Sequence, residues 1–380
     1  MSLKKRKKNF KLNMNYKNDK RTVLTLDAGG TNFVFSAVQG NEEIVEPVTI
    51  PSHGDNLPES LKSIENGFEE IKSKLKQNPV AISFSFPGPA DYQKGIIGDL
   101  GNLPGYRGGV PLGSILKNHF NLPVFINNDG GLYAYGEAIA GYLPYINNIL
   151  KESGSAKRYK NLIGFTLGTG FGGGIVINNE LLTGDNSNAG EVWLLRSKVN
   201  PKINAEETIS IRAVKKFYSE KSRIRLEDSP EPKIIYEIAT GKAAGNKEAA
   251  IYAYKKMSEA LGDAIANVLT VIDGIAVIGG GIAAASLLFM PALIDELNSK
   301  YVLENGNEIN RLDMKVFNLE NESDLRLFIK GEEKEIPVPG SNEKIIYDPQ
   351  KKTGVGISKI GTSKAVSIGA YAFALNMLDK

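Results

Sequence analysis

The sequence contains no cysteine, and this absence excludes several kinds of chemistry at once. Disulfide bonds, thiolate zinc sites and cysteine nucleophiles all need that residue. Histidine is nearly as rare, with 2 copies among 380 residues. His53 lies in a polar loop and His119 near the end of a predicted helix, and isolated histidines in such places are more often surface residues than catalytic ones. We therefore assign neither histidine a role.

The chain also lacks an uninterrupted apolar run of the kind that crosses a membrane. Residues 275–294 are uncharged and long enough, but three consecutive glycines and Pro291 interrupt them, and acidic residues flank them without basic anchors. The lysine cluster near the N-terminus is followed by polar residues and not by the apolar stretch of a signal peptide. We therefore expect a cytoplasmic protein with no membrane partner.

The small positive charge of the chain is confined to its first residues. The formal net charge is +3, while residues 1–21 alone carry +8 and the remainder carries −5. A body that binds nucleic acid is expected to show a basic face in its folded part, so we expect no nucleic-acid partner. Residues 1–21 have no apolar periodicity and are predicted to be a disordered basic tail.

The pattern of strands and helices predicts an α/β protein in which one order of elements occurs twice. A strand at 22–27, a glycine turn and a strand at 33–38 predict an antiparallel hairpin, followed by an amphipathic helix from Leu57 to Leu75. A second hairpin follows at 162–178, with later helices and a strand at 274–278. Residues 301–360, with short strands predicted at 314–319 and 325–329, suggest an insertion. Residues 364–378 predict a buried closing helix.

Three glycine clusters follow predicted strands, and each can present backbone amides to phosphate oxygens. The cluster from Gly168 to Gly173 satisfies G-x-G-x-x-G, which alone would suggest NAD. A dinucleotide site needs a helix after the glycines, however, and here the residues from Ile175 to Ile177 alternate as in a strand. A Walker A lysine motif is also absent. The clusters therefore favour the phosphates of ATP, and their structural alternative is simple tight turns.

Carboxylates lie beside these clusters in positions that suit phosphoryl transfer. Asp27 ends a strand just before the first cluster and could hold Mg²⁺ through its waters, although a structural aspartate also fits there. Asp129 lies between a strand and a helix, where it is either an N-cap or a general base toward a sugar hydroxyl. Glu191 is either a sugar ligand or a solvated loop carboxylate.

Taken in order, the motifs resemble the ROK family of sugar kinases over residues 22–298 and again at 367–370. The family implies a two-lobed ribonuclease H-like fold of the actin and hexokinase type, with a duplicated mixed sheet flanked by helices. We place residues 22–135 and 364–380 in a small N-terminal lobe and residues 136–363 in a large C-terminal lobe, with a mostly β insertion at about 301–360. The motifs are Asp27–Thr31, Phe86–Pro89, Asn102–Gly105, Asn128–Asp129 with Gly136–Glu137, Leu167–Gly174, Ala189–Glu191, Ile278–Gly281 and Ser367–Ala370.

The resemblance also implies a role for individual residues. Asp129 would be the catalytic base, and the sugar would be bound by Asn102, Asn128, Asp129, Glu191 and Glu206. ATP and Mg²⁺ would be the cofactors. Their phosphates and metal would be held by Asp27, Gly29, Gly30, Thr31, Gly168, Thr169 and Gly170, while Gly279, Gly280 and Gly281 would border the adenosine.

The sequence departs from the family pattern beside Glu191. The family usually has a histidine three positions after this glutamate, which binds zinc and sugar, and then a cysteine-rich zinc motif. Here the position is Leu194, preceded by Trp193, and no structural zinc is expected. The resulting hypothesis is an ATP-dependent sugar kinase of open specificity, with homodimers common among its relatives. The alternatives are a sugar-responsive regulator, since the family includes repressors, and a catalytically silent sugar-binding protein.

Overall fold

The structure is a computed structural model that describes residues 16–380. The first part of the chain has a short 3-10 turn at Tyr16–Asn18, eight strands and four helices within the described residues up to Glu152. Strands β1 to β8 are Val23–Ala28, Asn32–Gln39, Glu42–Glu43, Val48–Pro51, Ala81–Ser85, Ala90–Asp91, Ile96–Ile97 and Val124–Asn127. Helices α1 to α4 are Leu57–Ser73, Leu112–Phe120, Asp129–Ile139 and Tyr142–Glu152.

The second part of the chain, from β9 onward, has ten strands and seven helices. Strands β9 to β18 are Leu162–Leu167, Phe171–Ile177, Glu180–Leu181, Ile275–Gly279, Lys300–Val302, Glu308–Asn310, Lys315–Asn318, Lys334–Pro337, Lys344–Tyr347 and Lys352–Ile357. Helices α5 to α11 are Glu206–Ile209, Ile211–Ser222, Pro232–Ala239, Lys247–Val271, Ser286–Leu297, Glu322–Lys330 and Thr362–Asp379.

The two main sheets repeat one topology. The first runs β3-β2-β1-β5-β8, with β4 also paired to β2, and the second runs β11-β10-β9-β12-β18-β15. In each sheet an antiparallel hairpin, β1–β2 or β9–β10, is continued by parallel strands, β5 and β8 or β12 and β18. Helix α3 follows β8, and helix α11 follows β18. The predicted α/β fold with a duplicated mixed sheet is therefore confirmed.

Helices α3 and α11 cross between the sheets at two glycines. A Cβ on Gly136 would lie 1.9 Å from the carbonyl oxygen of Ala365, and one on Gly369 would lie 1.9 Å from that of Leu132. Each helix also packs on the sheet of the other half, α3 on β9 and β10 and α11 on β1 and β5. The crossing thus ties the two halves together and brings the N-terminus of each helix to the cleft between them.

Residues 16–21, which the sequence predicts to be part of a disordered tail, are ordered and pack at the edge of the hydrophobic core. Tyr16 is 4% exposed and packs edge-on against Tyr371 in α11. Arg21 forms ion pairs with Asp19 at 2.7 Å and with Asp379 at 2.6 Å. The prediction is wrong for these residues because their partners lie at the far end of the chain. The rest of the predicted tail, residues 1–15, lies outside the described residues.

The segment at 301–360 is more than an insertion. It contains two peripheral hairpins, β13–β14 and β16–β17, but β15 and β18 are strands of the second main sheet. The predicted strand at 325–329 is wrong, since these residues belong to α10, where Phe328 is buried against Tyr159 and Phe317. Among residues 16–380 there is no helix with the length and apolar content needed to cross a bilayer.

Candidate active site

Two cavities lie in the cleft and share one residue, Asp129. The first cavity, of about 800 Å³, is lined by the β9–β10 hairpin, the start of α3, Gly88–Pro89 and the loop around Glu191. The second cavity, of about 670 Å³, is lined by the β1–β2 hairpin, Ser85 and the start of α11. Asp129 therefore lies at the boundary of both cavities.

The start of α3 separates the two roles that the sequence left open for Asp129. The N-cap is Asn128, whose side-chain oxygen accepts hydrogen bonds from Gly130 N at 2.8 Å and Gly131 N at 3.3 Å. Asp129 is the first helical residue, with Oδ1 accepting from Gly130 N at 2.9 Å. Its side chain is exposed to the cleft, and the positive end of the helix dipole stabilises its charge. Asp129 is therefore free for chemistry, while Asn128 caps the helix.

Asp27 lies near enough to Asp129 for their charges to interact. The pKa of Asp27 is raised above its ordinary value, first because its surroundings displace water and second because of the Asp129 charge. Both residues line the second cavity. Two neighbouring carboxylates are a donor set that suits a hard divalent cation, whose charge would relieve their repulsion. The residues present therefore fit Mg²⁺ at this place.

Glu206 contacts and stabilises the glycine turn between β9 and β10. Glu206 Oε2 accepts from Phe171 N at 3.0 Å, and its Oε1 accepts from Arg212 at 3.0 Å. Arg212 also donates to the carbonyl oxygen of Thr169 at 3.3 Å. A Cβ on Gly170 would lie 2.5 Å from Glu206 Oε2, so the turn and the glutamate are in direct contact. Glu206 lines the first cavity, yet its hydrogen bonds are made to the glycine turn and to Arg212.

The later glycines of the same cluster have a packing role. A Cβ on Gly130 at the start of α3 would lie 2.5 Å from the carbonyl oxygen of Gly173, and one on Gly174 would lie 2.3 Å from that of Gly130. The helix therefore lies directly on β10. The number of glycines here reflects close helix packing as well as a turn that can face phosphates.

Glu191 reaches the first cavity from a tight loop. Gly190 has φ of 87°, which favours glycine, and lies against Gly173 in β10. Glu191 Oε2 accepts a hydrogen bond from the indole Nε1 of Trp193. Trp193 and Leu194 line the cavity with it. The sequence marks position 194 as a departure from the family pattern but does not predict the hydrogen bond between Trp193 and Glu191.

The cavities bring together many of the predicted residues but not all of them. Asn102 lies outside both, against the first glycine turn, where a Cβ on Gly30 would be 3.9 Å from its Cβ. Gly29 and Thr31 shape that turn, Gly29 N donating to Asn32 O at 3.0 Å and Thr31 O accepting from Ser52 N at 2.9 Å. Those that line the first cavity are Asn128, Asp129, Gly168, Thr169, Gly170, Glu191, Glu206 and Gly280.

The third glycine cluster divides into three environments. Gly279 is buried, and a Cβ there would lie 2.6 Å from the Tyr133 hydroxyl. Gly280, with φ of 88°, lines the first cavity and donates to Thr362 Oγ1 at 2.8 Å. Gly281 is exposed and has open space at its Cβ position. Gly280 is thus the member of the cluster that lines a cavity.

Tyr92 is a site residue that the sequence gave no signal to find. It is 9% exposed, and its hydroxyl donates to the carbonyl oxygen of Phe86 at 2.8 Å. Burial raises its pKa above the ordinary value, and the charges of Asp129 and Glu191 raise it further, although the Asn128 side chain acts in the opposite direction. Tyr92 therefore lies near Asn128, Asp129 and Glu191 as a neutral phenol, although it lines neither cavity. It follows a two-residue strand, where no periodicity marks it.

Comparison with known proteins identifies the family of this chain. The ROK family profile matches residues 23–325, and the chain belongs to this family. A solved glucokinase from Parabacteroides distasonis has a TM-score of 0.89 and 52% identity, covering 95% of this chain and 99% of that one. The fold is therefore the ribonuclease H-like fold that the resemblance implied.

Curated relatives of the chain have two kinds of function. The glucokinase of Thermotoga maritima is 26% identical over 297 residues, 72% of this chain and 86% of that protein. The xylose repressor of Bacillus spizizenii is 26% identical over 264 residues, 68% of this chain and 64% of that protein. The similar proteins thus include both sugar kinases and a repressor.

Proposed function

We propose that this chain is a sugar kinase that transfers the terminal phosphoryl group of ATP to a hexose hydroxyl. The observation that carries the proposal is the place of Asp129, an exposed carboxylate that lines both cavities. A base between a donor and an acceptor must reach both, and this residue meets that geometric need. The similarity to two glucokinases supports a hexose as the acceptor.

The acceptor would bind in the first cavity. Glu191 and Asn128 line it and offer oxygen acceptors and an amide to sugar hydroxyls. Asp129 would take the proton from the hydroxyl that attacks, since its carboxylate lies in the first turn of α3 at the wall of this cavity. Tyr92, whose hydroxyl donates to Phe86 O, would support Asn128 from outside the cavity.

The donor would be held by the two glycine turns. The turn at residues 168–170 and Gly280 line the first cavity, where they would border the donor next to the acceptor. The turn at residues 29–31 ends the β1–β2 hairpin, which lines the second cavity, and both turns would offer backbone amides to phosphate oxygens. Mg²⁺-ATP, when bound, supplies the phosphoryl group and neutralises its developing charge. Asp27 would hold the metal, directly or through water. Closure of the two halves about the α3–α11 crossing would exclude water from the reaction.

The test is phosphoryl transfer from ATP to a panel of hexoses and hexosamines by the wild type and Asp129→Asn. We expect kcat on the best sugar to fall by about 10²- to 10⁴-fold in the variant, because the base is lost while the shape is kept. Asp295→Asn, an exposed aspartate on α9, is the matched control and should retain full activity. Equal turnover by Asp129→Asn and the wild type would contradict the assignment of the base.

A sugar-responsive regulator is the second candidate, supported by the similarity to a xylose repressor. The same preparation separates it from a kinase. Retention on DNA that falls steeply with salt and is lost on removal of residues 1–15, with no turnover on any sugar, would favour the regulator. Sugar binding measured by calorimetry, without turnover or DNA retention, would favour a silent sugar-binding protein.

A further inference from the structure

Trp193 and Glu191 form a side-chain pair in the wall of the first cavity. The indole Nε1 donates to Glu191 Oε2, and both residues line the cavity. Trp193 is half-buried and packs against the hydrophobic core of the second half of the molecule. The indole is therefore held by packing, and the carboxylate that accepts from it lies in the wall of the cavity.

The backbone around Glu191 is already fixed, so the remaining freedom is in its side chain. Val192 N donates to Gly190 O at 2.6 Å and Leu194 N to Glu191 O at 3.1 Å, which forms the 3-10 turn Val192–Leu194. A glutamate side chain on such a turn has several rotamers, and fixing one of them costs conformational entropy when a ligand binds. A hydrogen bond from a fixed donor to one carboxylate oxygen selects one rotamer before the ligand binds.

The chemistry of the indole suits this task. Its N–H is a donor only, so it can occupy Oε2 but cannot compete with Glu191 for the donors of a sugar. Oε1 then remains for a sugar hydroxyl. At the next position Leu194, which is 58% exposed, offers the cavity an apolar side chain with no hydrogen-bonding group. At this edge of the site, polar recognition thus depends on Glu191 as oriented by Trp193.

We propose that Trp193 is a positioning residue that presents Glu191 to the sugar acceptor, in a chain whose position 194 carries no polar group. This inference rests on the proposed function. Trp193 acts through Glu191, so its loss should weaken sugar binding much more than it slows the transfer step at saturating sugar.

The experiment uses Trp193→Phe, which keeps an aromatic ring and removes the N–H. We expect KM for the best sugar to rise about 10- to 100-fold, as for loss of a hydrogen bond to a charged group. The kcat should change less than about threefold, and KM for ATP should stay the same. In a Glu191→Ala background, which has no side-chain acceptor for the indole N–H, the same substitution should add less than about threefold, since the two residues act as one unit. Thermal unfolding of each variant checks that the fold is kept.

The chain contains one tryptophan, so its fluorescence reports on this place alone. Titration of the wild type with a sugar it phosphorylates should change the emission of Trp193 and saturate. Three results would each overturn the inference while leaving the kinase proposal intact. They are a wild-type KM in Trp193→Phe, additive effects in the double variant, and an unchanged emission on titration with that sugar. Failure of the wild type to phosphorylate any sugar would overturn the kinase proposal and the inference together.

Discussion

The two cavities that meet at Asp129 are built on the same plan but carry different side chains. One lies between the β9–β10 hairpin and the start of α3, and the other between the β1–β2 hairpin and the start of α11. Helix α3 begins at Asp129, seven positions before Gly136, and helix α11 begins at Thr362, seven positions before Gly369. A carboxylate at one helix start thus corresponds to a hydroxyl at the other.

This difference shows which properties of a helix start come from the fold and which come from the residue type. Both helix starts offer backbone amides and the positive end of a dipole to the cleft. At α3 that field stabilises the exposed carboxylate of Asp129, whereas at α11 the Thr362 hydroxyl is engaged in accepting the Gly280 amide at 2.8 Å. Duplication therefore creates two similar places for charge, and the residue type makes only one of them suited to proton transfer.

The largest expected effect tests whether the two halves are equivalent at their crossing. Gly136→Ala and Gly369→Ala would each place a Cβ 1.9 Å from a carbonyl oxygen of the partner helix. Because backbone must move in both cases, we expect each to lower the free energy of unfolding by about 3 kcal/mol. Urea unfolding with tests for two-state behaviour measures this.

Gly131→Ala is the matched control for the crossing, since it lies in α3 with ordinary contacts of 3.7 and 3.8 Å to Leu181. In a helix such a change is expected to stabilise by about 0.5 to 1 kcal/mol. The free energies of unfolding of the two crossing variants are compared with each other and with this control. If the two crossing variants differ from each other by as much as either differs from the control, the two halves are not energetically equivalent.

A smaller effect is expected at the start of α11. Thr362→Val keeps the shape of the side chain but leaves the Gly280 N–H without its acceptor. We expect a loss of about 1 kcal/mol in the free energy of unfolding and a fall of less than tenfold in activity, mainly through KM for ATP. Thr362→Ser, which keeps the hydroxyl, should behave like the wild type. A loss of kcat as large as that in Asp129→Asn would show that the two helix starts share the chemistry and are not distinct in function.

The sequence predicts best where periodic patterns and glycine turns coincide. The hairpins, α1, α3 and the long α8 follow from local spacing, and the order of motifs was enough to name the family. The strand β18 was missed because Lys352, Gly354 and Gly356 interrupt its apolar pattern, and its place is decided by pairing with β12. The apolar residues of α10 are few and adjacent, so their spacing predicts a strand where the chain forms a helix.

Contacts between distant parts of the chain account for most of what could not be predicted at the site. The Arg21–Asp379 ion pair and the approach of Tyr92 to Asn128 depend on tertiary packing and have no local signal. The Trp193–Glu191 hydrogen bond joins residues two apart, yet many conformations of that segment do not form it. The N-cap role of Asn128 was accessible from sequence, but assigning the cap to Asn128 or Asp129 needed the helix boundary.

The smallest expected effect concerns the residues just after the crossing glycines, Glu137 in α3 and Ala370 in α11. Glu137 is fully buried, accepting from Tyr142 N at 2.7 Å and from the Ser358 hydroxyl. Its pKa is raised because burial outweighs these two hydrogen bonds. The neutral form is therefore favoured by folding. Its contribution to stability is fully present below the unfolded pKa and is lost as pH rises through the higher folded pKa.

Glu137→Gln should consequently flatten the dependence of stability on pH. A glutamine can accept from Tyr142 N and donate to Ser358, so both hydrogen bonds can persist without a buried charge. We expect the variant to be as stable as the wild type or up to about 1 kcal/mol more stable at pH 8, with that advantage disappearing toward pH 4. Urea unfolding of both proteins across this range, with the exposed Glu304→Gln as control, measures the difference. A variant that is several kcal/mol less stable at pH 8 would mean that the carboxylate is held charged, and α3 would then carry a buried anion where α11 has a methyl group.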